Sequence, residues 1–177
     1  TRRHDDSVFL SKICYDISME NLFNTMTFDV FARLLIALLL GMIIGVERVW
    51  AHKTAGMRTY ALVSMGSALF VVVSNEMVKY YTGMAGLNPL MIISQIVVGI
   101  GFIGTGLIFA KESKLMGLTT ATSLWVCAGI GMASGFGLFD IAIVATLLTL
   151  FIFIVLWFVE DRLKKTKYFK NNNEDLN

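Results

Sequence analysis

The chain has 177 residues, of which 56% are hydrophobic and only 16% are charged, and its formal net charge at pH 7 is +2. Soluble domains average about 25% charged residues, so a water-soluble core could not hide this much apolar surface and the surrounding solvent must be lipid. The small net charge gives no argument for nucleic-acid binding. The two cysteines, Cys14 and Cys127, lack the spacing of a disulfide framework or a metal site.

Five apolar runs follow one another along the chain, each close to the ~20 residues that a helix needs to cross a bilayer. The runs are continuous and do not alternate, which favours helices over barrel strands. The sequence therefore predicts an all-α polytopic membrane protein with a polar tail at 1–26, a membrane domain at 27–159 and a basic tail at 160–177. The runs are Thr27–Val46, Thr59–Val78, Leu90–Ala110, Leu118–Phe136 and Leu138–Val159.

The orientation follows from the lysines and arginines outside the runs. Five spans place the first loop, the third loop and the C-terminal tail on one side, and these segments hold ten basic residues. The positive-inside rule then predicts an external N-terminus and a cytoplasmic C-terminus. A single glycine, Gly137, separates the last two runs and predicts a tight helical hairpin.

Charged residues mark both ends of the first helix. Near its start, Asp29 and Arg33 have the i, i+4 spacing that places an acid and a base on one face. At its end lie Glu47 and Arg48, and Arg58 opens the second helix. Because consecutive helix ends return to the same membrane face, we expect a Glu47–Arg58 or a Glu47–Arg48 pair. Such a pair is either a structural staple or a site for a cation or a protein partner.

The third run contains Gly99-Ile-Gly-Phe-Ile-Gly104, which matches the G-x-G-x-x-G pattern of dinucleotide-binding folds. No strand or turn precedes these glycines, so we expect no nucleotide and no cofactor. At 100° per residue, Gly99 and Gly106 share a face with Gln95, whereas Gly101 and Gly104 lie nearly opposite. Small residues let membrane helices approach closely, so this pattern predicts a central helix packed on two sides.

Two further glycine pairs have the small-xxx-small spacing of helix contacts. Gly41 and Gly45 lie on the first helix, and Gly131 and Gly135 on the fourth. The fourth helix also opens with hydroxyl residues at Thr119, Thr120, Thr122 and Ser123. These side chains are expected to bond to their own helix or across to Gln95. The sequence contains no catalytic triad and no metal-ligand cluster, so we expect no enzymatic activity.

Three blocks of the sequence, taken in order, resemble the MgtC/SapB family of bacterial inner-membrane proteins. They are "RLLIALLLGMIIGVER", "AGMRTYALVSMGSALF" and "QIVVGIGFIGTGLIF" followed by "GLTTATSLWVCAGIGMASG". The resemblance implies a five-helix membrane domain with a cytoplasmic C-terminus. Only 18 residues follow Val159, so the chain is more similar to the short SapB-like form than to the MgtC branch, which carries a soluble domain there.

The resemblance also implies a set of functional positions, while a few residues depart from the family pattern. Tyr60 stands where many members carry His, Thr105 where Ala is usual, and "NPLM" replaces a common Asp-Pro-x-Arg. The motif positions outside the glycines are Arg33, Glu47, Arg48, Arg58, Thr59, Gln95, Thr119, Thr120 and Trp125, and the glycines are Gly41, Gly45, Gly56, Gly99, Gly101, Gly104, Gly106 and Gly117.

By this resemblance, the protein is expected to act in magnesium homeostasis, stress adaptation and virulence-associated intracellular survival. The first hypothesis is a non-enzymatic regulator that binds other membrane proteins or itself. The alternative is a small cation transporter or channel with Glu47, Arg58 and Gln95 near its path. A magnesium path calls for several oxygen ligands, and the apparent spans offer few, so the regulator is preferred.

Overall fold

The chain folds into a bundle of five helical rods in this computed structural model, which describes residues 27–80, 89–111 and 114–164. The helices are α1 (Thr27–Trp50), α2 (Met57–Tyr80), α3 (Pro89–Gly106), α4 (Leu118–Gly135), α5 (Phe139–Phe151) and α6 (Trp157–Lys164). A π-helical turn, Ile152–Leu156, joins α5 to α6 without a break. The N-terminal tail, most of the α2–α3 connection and the chain beyond Lys164 lie outside the described residues.

Three of these rods are long and apolar enough to cross a membrane: Thr27–Trp50, Met57–Val78 and Phe139–Leu163. The apolar part of α3 is shorter and runs from Met91 to Gly106. The 18 residues of α4 include many small and hydroxyl side chains and are largely buried. The predicted multi-pass helical membrane protein is therefore confirmed. The number of spans and their orientation remain predictions.

The third apolar run was wrongly expected to be helical as far as Ala110. Instead α3 ends at Gly106, and the chain forms a short antiparallel hairpin of β1 (Phe109–Lys111) and β2 (Lys114–Met116) before α4. Gly117 precedes α4 with φ of 86°, a left-handed conformation that glycine adopts without strain. The predicted tight turn at Gly137 is present, with φ of 77°.

The middle of the bundle is α4, which contacts α2, α3 and α5. The sequence predicted α3 in this place, and that prediction was wrong. Gly131 and Gly135 explain the outcome, because they face the α2 backbone at Ser64 and Ala68 so closely that a Cβ would overlap it. Small residues on α4 let neighbours approach, and the resulting contacts place large side chains such as Leu124 and Ile130 in the core.

The glycines of α1 also lie at a helix contact, as their spacing predicted. A Cβ at Gly41 would be 2.6 Å from the Tyr60 carbonyl oxygen of α2, and one at Gly45 would be 2.5 Å from the Met57 Cα. On α3 the outcome differs. Gly104 makes an ordinary contact, with its Cβ position 3.6 Å from the Ala121 Cβ. The other three α3 glycines meet no described atom within 4 Å, so the packing expected there is not made by the part of the chain that the structure describes; they are Gly99, Gly101 and Gly106.

Candidate functional site

A buried charged cluster lies where α1 ends. The Nε of Arg48 donates a hydrogen bond to Glu47 Oε2, and the Arg48 guanidinium lies over the ring of Phe153, 3.4 Å from its centroid. Arg48 is only 3% exposed. An arginine removed from water needs both a counter-charge and further contacts to offset the loss of hydration, and a cation over an aromatic face supplies part of this. We call Glu47, Arg48 and Phe153 the Arg48 cluster.

The π turn explains how Phe153 reaches Arg48. Phe153 is 9% exposed, whereas its neighbours Ile152 and Ile154 are 51% and 56% exposed. A π turn shifts the angular register of the helix locally, and such turns are frequent at functional sites. Sequence reasoning missed this residue, because Phe153 stands in the continuous apolar stretch "TLFIFIVLWF" and carries no distinguishing signal.

The structure selects one of the two pairings that the sequence left open at this end. Glu47 bonds to Arg48, its sequence neighbour, while Arg58 is exposed and forms no ion pair with any described residue. Thr59 is exposed beside it. The two residues that open α2 are therefore outside the Arg48 cluster, and a Glu47–Arg58 staple is not present.

A second polar contact joins α2 to α4 in the core. Tyr60 is fully buried, and its hydroxyl shares a hydrogen bond with Ser123 Oγ. Ser123 Oγ also bonds to the Thr120 carbonyl oxygen at 2.9 Å, and Cys127 Sγ donates to the Tyr60 carbonyl oxygen at 3.3 Å. Tyr60, one of the positions at which the sequence departs from the family pattern, is therefore part of the helix interface.

Of the hydroxyl residues that open α4, Thr122 and Ser123 bond to carbonyl oxygens of their own helix, which is one of the two outcomes expected. Thr122 Oγ1 donates to the carbonyl oxygens of Leu118 and Thr119. None of these hydroxyls reaches Gln95, which is exposed on α3 and has no hydrogen bond to a described residue. Among the remaining motif positions, Thr120 is buried, and Thr119 and Trp125 are exposed.

Arg33 lies at the opposite end of α1 from Arg48. Its Nη2 is 2.8 Å from Asp29 Oδ2, which confirms the expected i, i+4 pair, and its Nη1 donates to the Gly135 carbonyl oxygen at 2.9 Å. Arg33 thus ties α1 to the end of α4. Beside it is a cavity of about 260 Å³ that Asn75 and Glu76 of α2 also line.

The predicted site residues therefore do not converge on one place. Arg33 belongs to the polar cavity, Glu47 and Arg48 form a buried cluster at the other end of α1, and Gln95 faces outward from α3. Within the described ranges, no group of three or more His, Cys, Asp or Glu side chains could hold a metal ion.

Comparison with known proteins agrees with the blocks found in the sequence. The profile of the MgtC family matches residues 34–162. The chain is 39% identical over 145 residues to a protein of Escherichia coli K12 named "Putative magnesium transporter YhiD", a match that covers 81% of this chain and 67% of that protein. It is 42% identical over 123 residues to "Protein MgtC" of Salmonella typhimurium LT2, covering 70% of this chain and 50% of that protein.

A protein of Haemophilus influenzae without an assigned function is also similar, at 35% identity over 133 residues. No solved structure shows significant similarity to the chain. The matched segment spans about half to two thirds of the relatives, so activities of the whole relatives need not reside in it. Its boundaries nevertheless enclose nearly all of the helical bundle, from the second turn of α1 into α6.

Proposed function

Because the chain belongs to the MgtC family, we propose that it is a non-enzymatic regulator of magnesium and stress homeostasis that acts by binding other proteins of the bacterial inner membrane. The family match supports a magnesium-related membrane protein. The step from there to a regulator rests on how the polar groups of the bundle are used.

The Arg48 cluster is the observation that carries this proposal. A cation path needs oxygen ligands that are free to exchange with the ion, and Mg²⁺ in particular is held by carboxylates and water. The Glu47 carboxylate is instead engaged by Arg48, whose positive charge lies between α1 and the π turn. A carboxylate that is neutralised by a buried guanidinium offers no free ligand to a passing cation, and the cluster fastens two helices together, which suits a scaffold better than a conduit.

The proposed topology has five spans with the Glu47 end of α1 in the cytoplasm. At 1.5 Å per residue, the 18 residues of α3 and of α4 each reach ~27 Å, close to the ~30 Å of the hydrocarbon core. The basic residues of the first loop, the hairpin segment and the C-terminal tail then share the cytoplasmic side.

The test is reconstitution of the full chain into liposomes that contain a magnesium-sensitive dye. We expect Mg²⁺ entry no faster than in protein-free liposomes. In parallel, crosslinking in inner membranes should capture a defined set of membrane proteins, and this set should shrink in Arg48→Gln but not in the exposed control Arg58→Gln. Mg²⁺ flux that depends on the protein would overturn the regulator and favour transport.

The alternative, a magnesium transporter, is supported by one relative's name and by the polar cavity at the Asp29 end of α1. That cavity is lined by two carboxylates, Asp29 and Glu76, and by the Asn75 amide, which are ligand types that Mg²⁺ accepts. If transport is observed, Glu76→Gln should reduce the flux, whereas the exposed residue Arg58 should tolerate substitution by Gln.

A further inference from the structure

A groove between α2 and α3 opens on the outside of the bundle. Its volume is about 690 Å³, and its lining is almost entirely apolar. Two of the lining residues are glycines, Gly66 and Gly99, at which a Cβ would meet no described atom within 4 Å. No part of the proposed function uses this groove.

Two polar side chains line the groove without a hydrogen-bond partner among the described residues. Gln95 of α3 is exposed, and Ser67 of α2 is 3% exposed. Both lie well inside their helices, Ser67 ten residues after the start of α2 and Gln95 eleven residues before the end of α3. A hydrocarbon chain that filled the groove would leave both groups unpaired, which costs free energy in a membrane.

The α3 wall of the groove has the spacing of a helix contact. Of the lining residues, Ile92, Gln95 and Gly99 are separated by three and four residues, so they lie along one face of the helix, and Gly106, seven residues further on, continues that face beyond the groove. A Cβ at Gly99 or Gly106 would meet nothing within 4 Å. A small residue one turn from a polar amide is an arrangement that allows two membrane helices to approach and to hydrogen-bond across the contact.

We propose that a second copy of the chain covers this groove, with α3 packed against α3 of the partner about a two-fold axis along the membrane normal. Insertion gives both copies the same orientation, so each residue near the axis meets its own counterpart at the same depth. A glutamine amide both donates and accepts, so Gln95 can bond to Gln95 of the partner subunit. A helix of an unrelated protein has no symmetry reason to place a polar side chain at the depth of Gln95. The proposal rests on the membrane-spanning bundle but not on the magnesium-related role.

Disulfide trapping in native membranes tests the contact directly. The full chain, with Cys14 and Cys127 changed to Ser, receives either Gly99→Cys or the matched control Gly101→Cys. Both glycines are open and only two residues apart, but they lie on opposite faces of α3. After copper–phenanthroline oxidation, we expect a crosslinked dimer from Gly99→Cys and at least a fivefold weaker one from Gly101→Cys.

Single-molecule photobleaching in liposomes measures the same equilibrium without a new cysteine. We expect two-step bleaching for the unaltered chain and a dimerisation constant about tenfold lower for Gln95→Leu, the size expected for one membrane hydrogen bond. Equal crosslinking of the two cysteine variants, crosslinking only to a different protein, or single-step bleaching of a folded unaltered chain would overturn the proposal. None of these readouts depends on magnesium flux or growth.

Discussion

The third and fourth helices are both rich in glycine, yet most of the glycines of α3 are open, whereas two of the three on α4 lie at a tight helix contact. On α4, Gly131 and Gly135 press against the α2 backbone and bring that helix into the centre of the bundle. On α3, Gly99, Gly101 and Gly106 meet no described atom within 4 Å. Glycine spacing thus identifies a surface that another helix can approach, but it does not say whether the partner belongs to the same chain.

The arginines show the same contrast, because Arg48 is buried and Arg58 is exposed. Of all the substitutions considered, we expect the largest loss of stability at Arg48. Arg48→Gln leaves the partly buried Glu47 carboxylate without its counter-charge, so we expect a loss of about 3–5 kcal/mol of unfolding free energy. Arg58→Gln, at an exposed site, should change it by less than about 0.5 kcal/mol. Titration with SDS in mixed micelles measures both values.

A double-mutant cycle sharpens this contrast. Glu47 and Arg48 should show a coupling energy well above experimental error, because each residue loses its partner when the other is replaced. Glu47 and Arg58 should be additive. Coupling between Glu47 and Arg58 instead would show that the pairing at this end of α1 differs from the one described.

The glycines themselves give the next largest effect. Gly131→Leu forces a side chain into the Ser64 backbone, so we expect a loss of about 1–3 kcal/mol and a lower folded yield. Gly101→Leu, on the open face of α3, should leave both quantities nearly unchanged. Fluorescence-detected size-exclusion chromatography after heating compares the two. An equal loss in both variants would contradict the distinction between α3 and α4.

Replacing a buried polar side chain and replacing an exposed one should differ by a smaller amount in unfolding free energy. Tyr60→Phe removes one hydrogen bond to Ser123, which retains its bond to the Thr120 carbonyl oxygen, so we expect a loss of about 1 kcal/mol. Gln95→Leu removes no hydrogen bond to any residue that the structure describes, so we expect no destabilisation of the monomer. The same SDS titration, performed at a protein concentration that favours monomers, measures both. A monomer destabilised by Gln95→Leu would mean that Gln95 has a partner within the bundle.

The smallest expected effect concerns the one α3 glycine that does contact α4. A Cβ at Gly104 would be 3.6 Å from the Ala121 Cβ, an ordinary van der Waals distance. Gly104→Ala should therefore change the unfolding free energy by less than about 0.5 kcal/mol, since a better helix propensity offsets any slight crowding. A loss above about 1 kcal/mol in the titration would show that α3 and α4 pack more tightly than this distance indicates.

Much of the bundle could be predicted from the sequence, because long apolar runs and their breaks follow from the requirements of a lipid solvent. The end of α3 could not be, since the residues after Gly106 stay apolar while the backbone changes to a hairpin. The centre of the bundle was also misplaced. Hydropathy favours α3, whereas the many small and hydroxyl residues that lower the hydropathy of α4 are the ones that let it be surrounded.

The site was predictable only in part. The sequence predicted the Glu47–Arg48 pair, whose residues are adjacent, as one of two alternatives, and the Asp29–Arg33 pair, whose residues are four apart, because those contacts are local in sequence. Phe153 is more than a hundred positions away from Arg48 in the sequence. Its contact with Arg48 depends on a change in helix register that no residue type in this apolar run indicates. A tertiary contact of this kind produces no periodic sequence pattern when it lies in a uniformly apolar stretch.

The π turn at Ile152–Leu156 has a consequence for how this chain tolerates changes in length. Each residue of a regular helix advances the side chains by ~100°. Deleting one residue within the turn would restore a regular helix, but it would also rotate either Phe153 or all of α6 about the helix axis. A related chain with one residue more or fewer at this turn should therefore do one of two things. Either it keeps an aromatic ring beneath the arginine that corresponds to Arg48, or it has replaced that arginine as well.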